Sequence, residues 1–450
     1  SSLFKYITVE PTLCMYFFAN AVSGVCGQNL LLQKSCYPGA LPGVKDLCPD
    51  EISAQRNVTY IGAWNKLLHW SLPLVVVVFG GVWSDVSGKR RRPLIVLPVL
   101  GQIVSDLVLT ANVYFWSWSP LVAGLAEGAI TGMTGARVCF QLGFICYLTD
   151  VTTTENRTFR IGVAVAGFFV STSVGTALSG WLFVNFGFYG AFLTAVFLNT
   201  LGMCFIFVFV KNPEIVAEKT NSSGQNLFNV FKVWETLKGV FRRRDGHKRM
   251  MLLFMMLAAP LTEGTLAGEY SVLYLFVRYL FHWDLKMFGF YAAYKMVVVL
   301  LGTMITLGIF SRLLRFPDTL IGIMAALTQL ASNLGNAFAS HPYEMIIYPV
   351  VDFMHGTSIT ASMSLASKSI ETTEIGGVTG VMSAIRALVP VVLVPSYNLV
   401  YNNTVHFFPG YFFILSASMA VLLFLIFSTL YIIERKEGST PTIVEQCTRL

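Results

Sequence analysis

Apolar runs follow one another along nearly the whole chain, separated by short polar joints. A membrane span needs about 20 apolar residues, and roughly twelve such runs are readable: 9–33, 64–84, 93–114, 118–149, 161–185, 187–210, 250–280, 286–312, 316–339, 343–370, 376–401 and 407–433. One longer polar stretch, 211–249, divides them six and six. Within it, Leu227 to Phe241 carries apolar positions at helical spacing between basic flanks, which predicts an amphipathic helix on the inner leaflet. The expected fold class is an all-α polytopic membrane protein with twelve transmembrane helices in two six-helix bundles. The bundles cover 1–210 and 250–435, the linker 211–249, and a cytoplasmic tail 436–450. Composition agrees: 55% of residues are hydrophobic and 12% charged, against about 25% charged in a soluble domain. No cleavable signal peptide is visible.

The cations set an expected orientation. With both termini cytoplasmic, roughly 22 of the 31 Lys and Arg fall on the inner side, the usual bias. The formal charge of +7 is mostly this bias and does not point to nucleic acid. The loop after the first span then faces outward. It holds Cys36 and Cys48, either a bridge of an oxidising compartment or two free thiols, and the glycosylation sequon Asn57-Val-Thr. Asn402-Asn-Thr gives a second outward sequon, whereas Asn156 and Asn221 fall inside and should stay unmodified. Small residues Gly124, Gly128 and Gly132 line one face of span 4 and predict close helix packing, as do Gly167, Gly175 and Gly180 in span 5.

Candidate chemistry comes from polar groups in apolar surroundings. A charge at mid-bilayer costs at least about 2.5–3.5 kcal/mol, so it needs a partner, a wet cavity or a function. The spans hold Asp106, Glu127, Arg137, Glu263, Glu269, Lys295, Asp352, His355 and Arg386. Arg137, Arg386, Lys295 and Glu127 are candidate substrate-binding residues, because guanidinium and ammonium groups match a carboxylate or phosphate. The competing reading is internal neutralisation, Lys295 with Glu269 and Arg137 with Glu127 or Asp352. Glu263, Glu269, Asp352 and His355 are candidate proton-coupling residues. Asp352 and His355 share a helix face, and Pro260, Gly264 and Gly268 around the glutamates predict a broken span 7. No nucleophile elbow, phosphate loop, zinc-protease motif or metal-spaced cysteine pair is present, so neither an enzyme nor a cofactor or metal is expected.

The polar joint Gly81-Gly-Val-Trp-Ser-Asp85-Val-Ser-Gly88-Lys-Arg90-Arg91-Arg-Pro reads G-x-x-x-D-x-x-G-(K/R)-R between two spans. It resembles the loop between helices 2 and 3 of the major facilitator superfamily. Asp150, Arg157 and Arg160 make a similar cluster after span 4, and both sets are candidate gating residues that would hold the halves together when the inner side is closed. Weak echoes between the halves, Leu148-Thr-Asp against Ser369-Ile-Glu and the motif loop against Gly308 to Arg315, suggest parallel repeats.

Further short pieces run in order along the chain: Val9-Glu10-Pro11, Asp150-Val151, Arg157-Thr-Phe-Arg160-Ile161, Trp283-Asp284, Ser367-Lys368, Thr373-Glu374 and Phe408-Pro409-Gly410-Tyr411. Together they resemble solute carrier family 46, that of the proton-coupled folate transporter. The resemblance implies alternating access of two bundles and import of an anionic solute with protons. The solutes it suggests are folate-like anions, cyclic dinucleotides, muropeptides and conjugated drugs or steroids. The folate carrier's functional positions fall on Ala136, Val165, Gly264 and Met363, so none keeps that chemistry and this chain reads as a divergent member. The family's cysteine beside Trp-Asp is His282 here, which implies that Cys36 and Cys48 pair locally. The expected partners are a small organic anion, protons and the lipid bilayer, with the chain a monomer. The expected location is the plasma membrane, or alternatively the lysosomal membrane. Other readings are an uncoupled facilitative or lysosomal exporter, and a transport-dead receptor or scaffold of the same fold.

Overall fold

The computed structural model describes residues 9–39, 48, 50–86, 91–151, 154–210, 248–368 and 375–438, excepting some side chains, among them those of 78–86, 154–159 and 375–384. The predicted linker helix at 227–241, Asn221, Gly88 and Arg90 lie outside the described residues, as do the side chains of Asp85, Asn156 and Arg157.

All regular structure among the described residues is helical. In chain order the helices are α1 (Glu10–Cys36), α2 (Glu51–Val86), α3 (Arg92–Tyr114), α4 (Pro120–Met133), α5 (Ala136–Val151) and α6 (Thr154–Phe209). They continue with α7 (Lys248–Phe281), α8 (Leu285–Thr306) running into a π-helical turn (Leu307–Leu313), α9 (Asp318–Ala337), α10 (Glu344–Val351), α11 (His355–Lys368), α12 (Ile375–Thr404) and α13 (Tyr411–Gly438). α6 is two helices joined at Gly187, whose φ of 66° is open to glycine at little cost. Counting α4 with α5 and α10 with α11 as single passes, and α6 as two, the thirteen helices make the twelve passes of the sequence reading. Six stretches are long and apolar enough to cross a membrane on length and composition alone. Helix starts follow local chemistry. Pro11, Pro93 and Pro120 sit in the first turn of α1, α3 and α4, where a missing N–H costs nothing.

The passes gather into two compact units. The first holds α1–α6 with Gly268–Val297 and Pro390–Pro409; the second holds the remaining parts of α7, α8 and α12 with α9–α11 and α13. The core of the first packs Tyr16 and Phe17 of α1 against Ile95 and Val99 of α3, Phe140 and Phe144 of α5 and Ile206 of α6. Tyr16 stacks on Phe140 with ring centroids 4.2 Å apart. The core of the second packs Leu252 and Met255 of α7 with Ala326 of α9, Leu365 of α11 and Phe427 of α13. The predicted glycine face of α4 is in place. A Cβ at Gly128 would lie 2.6 Å from the backbone oxygen of Asn65, and one at Gly132 2.6 Å from that of Leu68, so α4 and α2 touch backbone to backbone.

Two passes are broken midway, and neither is the one that sequence suggested. Pass 4 breaks between α4 and α5, where Gly135 has φ 91° and Ala136 φ 44°. Pass 10 breaks at Asp352–Met354, between α10 and α11. α7, the expected broken span, is a single helix with Pro260 inside it. Hydroxyls pair the carbonyls around that proline, Thr262 donating to the oxygen of Ala258 at 3.1 Å and Thr265 to that of Leu261 at 2.6 Å. Proline is tolerated inside a membrane helix, and the carbonyl that Pro260 leaves without its backbone donor is that of Met256, one turn back.

Candidate functional site

Each break delivers ionisable groups. Arg137 is the second residue of α5, just past the left-handed pair Gly135–Ala136. Its guanidinium lies 5.9 Å from the ring centre of Trp70 and 5.7 Å from that of Phe168, a cation held by aromatic faces. At the other break, the Nδ1 of His355 is 2.8 Å from Asp352 Oδ2, and both side chains are buried. The predicted shared face of these two residues is therefore a direct contact across the helix break.

Two further acid–base pairs form, one within each unit. In the first, Lys295 Nζ donates to Glu269 Oε2 at 3.1 Å in a buried setting, with Tyr270 beneath the ammonium. In the second, Arg386 grips Glu263 with two hydrogen bonds, one of them 3.0 Å from Nε to Oε2. This pair differs from the others in exposure, 26% for Arg386 and 29% for Glu263. It sits near the middle of both α7 and α12, where a charge facing lipid would be costly. A half-exposed ion pair at that depth needs water or a polar ligand beside it.

Glu127 belongs to a small polar cavity within the first unit. The cavity is lined by Gln28, Asn65, Lys66, Glu127, Ser271 and Asn398 among others, and admits a water-sized sphere over about 30 Å³, room for one or two waters. Asn65 donates to the oxygen of Gly124 at 2.6 Å and to Glu127 Oε2 at 3.4 Å. Lys66 in this cavity was not among the sequence candidates. It lies at the polar end of an apolar run and reads there as an interface residue.

The two motif clusters meet. Arg91, after α2, donates from Nε to Asp150 Oδ2 at the end of α5, 3.0 Å away. Arg160 donates from Nη2 to Glu10 Oε1 at 2.6 Å and from Nε at 2.9 Å, both groups buried. Glu10, part of the Val9-Glu10-Pro11 piece, had no assigned role in the sequence; the structure gives it one as the anchor of Arg160. Gly81 lies in the last turns of α2. At the opposite end of α1, Cys36 and Cys48 form a disulfide with Cα atoms 5.3 Å apart. Asn57 is exposed and donates to Ser35 Oγ at 3.2 Å, while Asn402 is half-buried in the last turn of α12.

Passes 4 and 10 are both broken beside ionisable side chains, a feature that recurs in secondary transporters. The family model described as the Major Facilitator Superfamily matches residues 61–394, and the chain belongs to that superfamily: it is a membrane transporter, not an enzyme. Among curated relatives, it is 24% identical over 437 residues to a Gallus gallus protein named lysosomal proton-coupled steroid conjugate and bile acid symporter SLC46A3, covering 93% of this chain and 92% of that one. It is 23% identical over 445 residues to a Drosophila melanogaster protein named probable peptidoglycan muropeptide transporter SLC46, covering 92% and 83%. The chain is thus a divergent superfamily member similar to solute carrier family 46. Solved structures share its fold. The human organic anion transporter MFSD10 matches with a TM-score of 0.60 at 16% identity, over 94% of this chain and 98% of that one. A bacterial homologue of the human lysosomal transporter Spinster matches with a TM-score of 0.63 at 14% identity, over 96% of each chain.

Proposed function

We propose that this chain carries an organic anion, of the conjugated-steroid or muropeptide class, across a membrane together with protons by alternating access. The observation that carries the reading is the pair of mid-pass breaks: Arg137 follows one, and the Asp352–His355 contact spans the other. A guanidinium supplies anion recognition, and a carboxylate in contact with an imidazole offers a site where a proton can be held. The half-exposed Arg386–Glu263 pair adds a second arginine whose carboxylate partner an anionic ligand can replace. Protonation of Glu263 would free Arg386 for the ligand, which ties anion binding to proton uptake. The names of the relatives support both the solute class and proton coupling, and the SLC46A3 name favours a lysosomal membrane over the plasma membrane.

The test is uptake of a radiolabelled sulfated steroid and a labelled muropeptide into proteoliposomes, with and without an inward proton gradient. Gradient-driven accumulation of either, lost in Arg137→Ala, is expected. Flux that ignores the gradient removes the proton step and leaves an uncoupled carrier. Binding without flux of either solute points to a receptor that keeps the fold.

A further inference from the structure

Among the described residues, Asp106 of α3 is an intramembrane acid with no cationic side chain against it. It is fully buried, and no lysine or arginine pairs with it among the described residues. Its Oδ1 accepts hydrogen bonds from the hydroxyl of Ser23 on α1 and from Nε2 of Gln102, one turn away at 2.9 Å. Its Oδ2 completes no hydrogen bond with a protein group among the described residues. Asn199 of α6, 1% exposed, presents its side-chain amide to this carboxyl, although neither of its polar atoms reaches full hydrogen-bond geometry. A carboxylate offers only acceptors. A proton on Oδ2 neutralises a buried charge that no lysine or arginine among the described residues offsets.

The second half of the chain carries a natural comparison. Gln102-Ile-Val-Ser105-Asp106 in α3 corresponds to Gln329-Leu-Ala-Ser332-Asn333 in α9, the third pass of the other half. All six polar side chains are buried. Where the first half has Asp106, the second has Asn333, a neutral amide of the same shape. The architecture accepts a neutral group at this position, which a protonated aspartic acid also is. Only the first half keeps a group able to lose that proton.

We propose that Asp106 is a proton-binding site of this transporter, carrying the proton on Oδ2 between α3 and α6 and releasing it during the transport cycle. The binding step is simple protonation of a carboxylate by water-borne H⁺, with no other bond made or broken. The other titratable groups that act on Asp106 are Glu127 on α4 and Tyr16 on α1. α6 presents Asn199, and Arg137 and Cys139 of α5 act on Tyr16. That the proton is the coupled one rests on the symport reading above; that Asp106 binds a proton does not.

Infrared difference spectra of the full chain in liposomes, titrated from about pH 5 to about pH 9, read the site with no ligand. A protonated-carboxyl C=O band that disappears with rising pH is expected, absent in Asp106→Asn and shifted in frequency in Asn199→Ala. A band unchanged in both variants, a band that never titrates, or loss of the band on adding sodium at acidic pH overturns the proposal. Should Asp106→Asn fail to fold, Asn199→Ala and Ser23→Ala still report the site through the band's frequency. With sulfated steroid or muropeptide as probe, Asp106→Asn is expected to keep solute exchange at equal pH and lose gradient-driven accumulation. If wild-type flux ignores the gradient while the Asp106 band titrates, the symport reading fails and the proton site stands. If the variant still accumulates solute as the wild type does, Asp106 is not the coupled site.

Discussion

At the scale of single residues, three acid–base contacts deep within the spans divide by exposure, and the division predicts which one works on a ligand. Lys295–Glu269 and Asp352–His355 are buried, whereas Arg386–Glu263 is open at about a quarter of each side chain. An arginine that serves only as counter-ion tolerates exchange with its partner, but one that also binds an anion does not. Arg386→Ala should therefore weaken uptake of the sulfated steroid roughly 10- to 100-fold, the equivalent of one charge-assisted hydrogen bond at about 1.5–3 kcal/mol. The swap Arg386→Glu with Glu263→Arg should recover thermal stability and not transport. Full recovery of transport by the swap would reduce Arg386 to a counter-ion. A second residue-scale prediction concerns Asp50, which accepts a hydrogen bond from the backbone N–H of Ser53 at 3.1 Å at the start of α2. Hydrogen bonds from the hydroxyl and backbone of Ser53 hold its carboxyl below the ordinary carboxylate range. A lowered folded value means that the stabilisation is present above the unfolded value, about 3.9, and is lost as pH falls through the folded one. Asp50→Ala should lower the Tm at neutral and mildly acidic pH, while Asp50→Asn keeps the cap. The difference between wild type and Asp50→Ala should close only in strong acid, as read by thermal denaturation across pH.

Elements show where sequence was legible and where it was not. Gly124, Gly128 and Gly132 announced a bulk-free face, and α4 does lie on α2 there, with Asn65 and Leu68 at backbone contact. Gly128→Val should cost about 1–3 kcal/mol through overpacking, read as a lower melting temperature in detergent; an unchanged value would mean that the two helices can part without loss. The twelve passes were readable because apolar length is a strong signal. The helix breaks were not, because glycine and proline are ambiguous in a membrane. Pro260, Gly264 and Gly268 pointed to a broken α7, but the helix runs through all three, and the ring of Tyr397 packs against Gly268. Gly135 was one more glycine in a glycine-rich span, and only its φ of 91° shows that it turns the chain. The break at 352–354 has no glycine or proline within it; Asp352 and His355 were legible as a pair, not as the two sides of a gap. The buried partner of Arg160 was hidden for a different reason. Glu10 lies some 150 residues upstream, and no local pattern joins the two.

On the scale of the molecule, the first unit contains a seam between the two halves of the sequence, at the end where the disulfide lies. Tyr274 of α7 donates to Asn29 Oδ1 of α1 at 2.9 Å, and Gln28 of α1 donates to the oxygen of Ser271 at 3.1 Å. Gln55 of α2 donates to the oxygen of Leu275 at 3.1 Å and accepts from Tyr401 of α12 at 2.7 Å. Glu51 of α2 faces Arg278 of α7 at 3.6 Å. If the transporter works by alternating access, α7 and α12 must leave α1 and α2 at this end once per cycle, and these bonds set the resistance to that step. The ion pair is partly exposed and contributes little; the buried tyrosine bonds matter more. Tyr274→Phe and Tyr401→Phe each strand a buried carbonyl oxygen at about 1 kcal/mol or more, and together should shift the balance toward the parted state about 30-fold, given tenfold per 1.4 kcal/mol. A cysteine placed at Val58, buried beside the cavity in this unit, reports the parting through its rate of labelling by an impermeant maleimide, the wild-type cysteines serving as background. The rate should rise in the double variant by about the same factor, and solute turnover should change with it. Equal labelling in wild type and double variant would mean that the seam does not part at this end, and the entry path would then have to be sought elsewhere in the molecule.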